Sequence, residues 1–169
     1  DSDFFESSGP FKGRKGSLWE GGIRVPLIAR WPTKIKPNVT SDHVSAFWDM
    51  LPTFIELAGG TVPDDTDGIS ITPTLLNEGE QREHEFLYWE FPAYGGQQAV
   101  RMGDWKGICQ DMQKGNRGIQ LYHLKNDPGE SVDVASQNPE IVARLQAIMR
   151  SAHVPAEQFP FKALDSPSG

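Results

Sequence analysis

The chain has 169 residues, 37% of them hydrophobic and 23% charged, with a formal net charge of −7 at pH 7. That length holds one domain, or one domain and part of another, and no apolar run is long enough to span a bilayer. The charge is uneven: residues 1–40 carry seven Lys/Arg against four Asp/Glu (+3) and the remainder nine against nineteen (−10), a basic portion that suits an anionic small molecule and is too sparse for nucleic acid. Cys109 is the single cysteine, so an internal disulfide is excluded. No signal-peptide pattern is visible, and a start at Asp1 instead of Met reads as a piece cut from a longer protein.

The first distinctive segment is Gly13-Arg14-Lys15-Gly16-Ser17-Leu18-Trp19-Glu20-Gly21-Gly22-Ile23-Arg24-Val25-Pro26. It joins a glycine-rich cationic loop to an apolar run, and its glycines let the backbone turn sharply and approach a ligand closely. Residues 23–31 read as a short strand made irregular by Pro26, which lacks the ladder N–H. Pro32 and Pro37 mark a loop, and His43 to Phe47 a further short strand. Asp49 is placed to N-cap a helix running to Ala58, with Pro52 in its first turn. Leu51, Phe54, Ile55 and Ala58 share one face of that helix, and Gly59-Gly60 ends it.

Residues 61–83 are polar and turn-rich and form a loop, with one helical turn at Pro73-Thr74-Leu75-Leu76. Four strand-like runs follow: Phe86–Phe91, Gln97–Met102, Trp105–Gln110 and Ile119–Leu124. Gly103-Asp104 between the second and third is a type II′ hairpin signal, which makes them antiparallel neighbours. Asp127-Pro128-Gly129 supplies the next turn. Asn138 then caps a helix that has Pro139 at its first position and an apolar stripe of Ile141, Val142, Leu145, Ile148 and Met149. The expected fold class is α+β: a four-stranded antiparallel sheet packed with a terminal helix.

The Gly13–Pro26 segment resembles the lysine loop of the sulfatases, whose form is G-x-K-G-[ST]-x-[WY]-E-G-G-x-R-x-P. Three further stretches are similar to that family in the same order. They are Asp49-Met50-Leu51-Pro52-Thr53 with Ala58-Gly59, Ala99-Val100-Arg101-Met102-Gly103-Asp104-Trp105-Lys106, and Leu121-Tyr122-His123-Leu124-Lys125-Asn126-Asp127-Pro128-Gly129-Glu130. Together they reach from the N-terminus to about Met149. The resemblance implies that residues 1–80 are the end of a large alkaline-phosphatase-like α/β domain, 81–152 a complete small domain, and 153–169 a tail.

The resemblance also implies a function: hydrolysis of sulfate monoesters on a carbohydrate or aryl alcohol, with Lys15 contacting the sulfate. An ammonium suits that task because it binds an oxyanion as a point charge, without a fixed fork geometry. Arg14 and Arg24 are candidate supporting cations, although Glu20 and Arg24 also read as a structural salt bridge. Family members use calcium held by Asp and Asn and a formylglycine made in a C/S-x-P-x-R motif. Neither the metal ligands nor that motif is present, so the chain alone is expected to be inert. Ser8-Gly9-Pro10-Phe11-Lys12 imitates the nucleophile motif but sits in the lead-in to the lysine loop, and Cys109 reads as a strand residue.

His43, His84, His123 and His153 show no metal-ligand spacing, and His123 reads as an exposed strand residue. Trp89, Phe91, Tyr94 and Trp105 either line a saccharide rim or pack the sheet. Packing is preferred for Trp89 and Trp105, and the Phe91–Gly96 loop is the candidate for substrate selection. Expected partners are a sulfated small molecule or glycan, with no nucleic acid and no membrane span. If the first seventy or so residues belong to a larger sheet, then Ile23, Val25, Leu27, Ile28, Trp31 and Phe54 are exposed or covered by self-association. By resemblance the parent is periplasmic, secreted or lysosomal. Two rival readings remain: a phosphate or phosphonate ester hydrolase of the same superfamily, and a non-catalytic module that binds sulfated glycans.

Overall fold

A computed structural model describes residues 4–165. The chain divides into two compact units, one formed by residues 1–25 with 86–169 and the other by 26–85.

The first unit contains the sheet. Strands β1 (Leu87–Phe91), β2 (Gln97–Met102), β3 (Trp105–Cys109) and β4 (Gln120–His123) pair antiparallel in the order β1-β2-β3-β4. In the β2–β3 turn, Gly103 has a φ of 59° and Asp104 is not left-handed, the pattern of a II′ connection. Alternation along the strands builds two apolar faces. One face carries Val100, Ile119 and Leu121 and meets Leu145 and Met149 of the long helix Pro139–Ala152. The other carries Ala99, Ile108 and Tyr122 and meets Leu18 and Trp19 from the N-terminal segment. Leu18 and Trp19 therefore cover the second face of the sheet, and Ile23, expected to be exposed, packs against that core. Asn138 stands at the N-terminus of the long helix, yet its side-chain amide donates back to Val134 O at 2.9 Å instead of capping. The segment after the long helix returns to this unit through Phe161, which is 1% exposed and packed with Cys109 and Met112.

The strand expected at residues 23–31 does not form. Glu20–Ile23 is a single helical turn, α1, and the following residues are extended without ladder partners. Pro26 and Pro32 remove two donors, and among the described residues every strand lies in the one sheet. Ile28 is 90% exposed, and Val25, Leu27 and Trp31 are exposed with it. His43–Phe47 likewise forms no strand, because Phe47 opens a 3-10 turn to Asp49.

In the second unit, helices α2 (Met50–Leu57) and α3 (Thr72–Leu76) form at the expected places. Asp49 is buried, but it does not cap α2 as expected. Its carboxylate accepts the N–H groups of Ala46 (2.6 Å) and Ile69 (2.8 Å) and meets His84 Nε2 at 2.8 Å. The Thr53 hydroxyl donates to Asp49 O at 2.6 Å and accepts Ile71 N–H at 2.9 Å. Two buried polar side chains thus hold this unit, while Leu51 and Phe54 of α2 remain exposed.

Candidate functional site

The lysine loop is shaped by a turn over residues 14–17. Ser17 donates to Arg14 O through both its N–H (3.0 Å) and its hydroxyl (2.8 Å), and Arg14 N–H donates to Ser17 Oγ at 3.2 Å. Lys15 and Gly16 take the two central positions. Gly16 has a φ of 89°, which a side chain would oppose. Gly22 meets a different need: a Cβ there would stand 2.7 Å from both Arg14 O and Ser17 Oγ, so only hydrogen lets the following segment press against the turn.

The sheet then clamps the loop. Strand alternation aims Gln97 and Lys106 at the same face as Ala99 and Tyr122. Gln97 Nε2 donates to Gly16 O at 3.1 Å, and Gln97 Oε1 accepts Leu18 N–H at 3.1 Å. Lys106, fully buried, donates to Glu20 Oε1 at 2.8 Å and lies 2.9 Å from Glu130 Oε1. Glu130 Oε2 in turn accepts Glu20 N–H at 2.6 Å. Burial pushes the Glu130 carboxyl above its ordinary pKa, and Lys106 and the Glu20 N–H offset only part of that rise.

Glu130 is held in a left-handed conformation (φ 52°) by the turn before it. Asp127 there accepts the N–H groups of Ser131 (2.8 Å) and Val132 (2.9 Å) and the Ser131 hydroxyl (2.6 Å). Burial favours the neutral acid, but these donors outweigh it and hold the Asp127 carboxyl below its ordinary range.

The cations of the loop divide by task. Lys12 Nζ lies 3.7 Å from the Trp19 ring centroid and donates to Glu130 O at 3.2 Å, so it serves the fold. Arg24 stacks over Phe11 at 4.5 Å and lies 3.7 Å from Glu20 Oε2. Arg14 is exposed at the start of the turn. Lys15 is exposed at the turn's apex and makes no hydrogen bond or ion pair among the described residues. It is an exposed ammonium on a hydrogen-bonded backbone turn, suited to meet an anion.

Other sequence candidates lie elsewhere. The Ser8 hydroxyl donates to Gly21 O at 3.3 Å, within the lead-in. Cys109 is buried in β3, and burial pushes its thiol pKa up, against only a partial offset from Arg117. His123, expected to be exposed, is half-buried with its ring edge-on to Trp105 at 4.6 Å. Trp89 and Trp105 pack against the two faces of the sheet. His153 joins Glu90 (2.8 Å) and Asp165 (2.9 Å). Among the described residues no cluster of three or more His, Cys, Asp or Glu could hold a metal ion, and no helix is long and apolar enough to cross a membrane.

Gln97, Lys106 and Glu130 had no assigned part in the sequence reading. One signal was available for Lys106: a lysine at an inward position of a strand, flanked by buried apolar neighbours, must have a buried counter-charge.

Residues 11–154 match the family model described as N-sulphoglucosamine sulphohydrolase, C-terminal. Arylsulfatase A of Homo sapiens is 33% identical over 166 residues, covering 83% of this chain and 32% of that protein. A solved Bacteroides thetaiotaomicron structure, described under the metabolism of multiple glycosaminoglycans, superposes with a TM-score of 0.71 at 30% identity, over 90% of this chain and 35% of the other. A sulfated-sugar complex, solved with its substrate D-glucosamine-2-N,6-O-disulfate, superposes with a TM-score of 0.61 at 26% identity, over 73% of this chain and 26% of the other. The chain thus spans about a third or less of the length of these relatives. Its lysine loop, its sheet and the buried ion cluster that joins them are parts of one design, and the chain belongs to the sulfatase family, in its C-terminal region.

Proposed function

We propose that this chain is the C-terminal part of an enzyme that hydrolyses sulfate monoesters of a carbohydrate or aryl alcohol, and that Lys15 binds the sulfate. The observation that carries the reading is the state of Lys15: exposed and, among the described residues, unpartnered, at the apex of a turn whose backbone is clamped by Gln97 and by the Glu20–Lys106–Glu130 cluster. The sulfated ligand of a structural neighbour and the arylsulfatase relative support the substrate class.

In this reading the Lys15 ammonium donates to a sulfuryl oxygen and offsets the charge that gathers there as the ester bond breaks. The rigid backbone beneath it limits the reorganisation this requires. Arg14 adds positive potential at the same turn, and Arg24 holds Glu20 from the solvent side. Calcium and formylglycine belong to the remainder of the enzyme, so the chain alone releases no sulfate even with calcium added.

The test is sulfate release from 4-nitrophenyl sulfate and from glucosamine 6-sulfate by the full-length enzyme and its Lys15→Ala variant. A loss of about 10²–10³-fold in kcat/KM is expected, the size seen when one charge-stabilising donor is removed. Turnover of 4-nitrophenyl phosphate in preference to the sulfate would move the enzyme to the phosphate-ester branch. Lys15-dependent binding of the sulfated sugar without turnover would make it a glycan-binding module.

A further inference from the structure

We infer that Tyr94 is a specificity-determining residue: its ring forms a stacking platform beside Lys15 for the sugar ring that carries the sulfate. The inference rests on the reading of Lys15 as the sulfate ligand.

Tyr94 lies in the loop between β1 and β2, within the same unit as the lysine loop. Its ring stands against the turn that presents Lys15, because a Cβ on Gly16 would lie 3.1 Å from Tyr94 Cε2 and 3.5 Å from Cδ2 and Cζ. Gly16 follows Lys15 directly, so the ring packs beside the apex of the turn that presents the ammonium. Phe91 supports the ring from the sheet side, with centroids 5.8 Å apart and planes tilted by 34°.

The loop is built to hold this ring. Gly96 N–H closes a turn on Ala93 O at 3.1 Å, and Tyr94 (φ 48°) and Gly95 (φ 88°) take its central positions. Positive φ at both positions favours Asn, Asp or Gly, and a bulky tyrosine there is strained. Gln113 N–H donates to Gly95 O at 2.9 Å, Met112 N–H donates to Gly96 O at 3.1 Å, and Gln113 Nε2 donates to Pro92 O at 2.7 Å. The strain has no return in core burial, because Tyr94 remains 78% exposed and its hydroxyl makes no hydrogen bond among the described residues. Strain retained at an exposed ring supports assigning that ring to a ligand contact.

The setting selects the ligand. The ring is largely open to solvent and so offers a platform, not an enclosing apolar slot. The surroundings are polar, with Arg14, Lys15 and Asp111 all exposed nearby. A pyranose fits: the C–H groups of one face lie on the electron-rich ring, and the hydroxyls remain available to water and the polar rim.

The test uses the full-length enzyme and stopped-flow fluorescence, which reads binding ahead of turnover. The ligands are inorganic sulfate and glucosamine 6-sulfate, the variants Tyr94→Phe, Tyr94→Leu and Lys15→Ala. The wild type is expected to bind the sugar sulfate more tightly than sulfate. Tyr94→Phe keeps that advantage. Tyr94→Leu, which preserves bulk without an aromatic face, raises Kd for the sugar sulfate about tenfold and leaves Kd for sulfate unchanged. Equal Kd values for the two ligands in the wild type, or a Tyr94→Leu loss that is absent or the same for both, overturns the inference alone. Unchanged sulfate binding in Lys15→Ala overturns the reading of Lys15, and this inference with it.

Discussion

Lys106 and Glu20, 86 residues apart in the chain, meet at 2.8 Å in a site closed to solvent. Glu20 belongs to the loop that presents Lys15, and Lys106 to the second strand of the central hairpin. Lys106 also neutralises part of the charge on Glu130, so one ammonium joins the loop, the sheet and the turn after β4.

Replacing Lys106 by methionine is expected to destabilise the protein by about 3–5 kcal/mol, because Glu130 then remains buried without a counter-charge and Glu20 keeps only the half-exposed Arg24. Urea denaturation checks this. Adding Glu20→Gln and Glu130→Gln to the same protein should recover part of the loss, since it removes the stranded charges; equal stability of the single and triple variants would contradict the assignment.

Lys15→Ala should change stability by no more than about 0.5 kcal/mol, as expected for an exposed side chain without partners. Thermal unfolding of the variant beside the wild type tests it. A large fall in Tm would mean that Lys15 serves the fold rather than a ligand.

Gln97→Ala removes both contacts of the amide with the loop and leaves a buried Leu18 N–H without an acceptor. A cost of about 1–3 kcal/mol follows. Hydrogen exchange should show the Leu18 amide losing protection while the amides of the β2–β3 ladder retain theirs.

His153 sets a pH dependence. Burial lowers its pKa, but the hydrogen bonds and charges of Glu90 and Asp165 prevail and raise it above the ordinary value of 6.5. A raised folded-state pKa gives stabilisation that is full below 6.5 and lost as pH rises through the folded value. Denaturation midpoints measured from pH 5.5 to 9 should therefore fall faster on the alkaline side in the wild type than in His153→Gln.

The apolar residues left open in the second unit are expected to drive self-association of this chain. Leu27, Ile28 and Trp31 are exposed in sequence proximity, and such a run seeks cover. Sedimentation velocity should show oligomers whose fraction drops when Leu27 and Ile28 are both changed to lysine.

The sheet was legible because its signals are local. Alternation located the four strands, Gly103-Asp104 fixed one hairpin, and the stripe from Ile141 to Met149 located the helix that covers one face. The segment after Ile23 misled for a physical reason: apolar residues around Pro26 read as a strand, but a strand exists only with a neighbour to share its hydrogen bonds. Asp49 misled in a similar way, since a carboxylate before a helix looks like a cap until Ile69 and His84 arrive from 20 and 35 residues away. At the site, Lys15 was visible through its motif. Gln97 and Glu130 were not, because their roles depend on which face of the sheet the N-terminal segment covers.

The anchoring of Glu20 by Glu130, across 110 residues, also orders events in time. Closing so long a span is entropically costly and comes after the local hairpins. On the ribosome the lysine loop emerges before β2, β3 and β4 and then waits, slack, while they are made. Only when Glu130 has left the exit tunnel can the loop take its final contour. A polypeptide interrupted before that point carries every residue of the loop and none of its shape, so the loop is finished only when the sheet beneath it is.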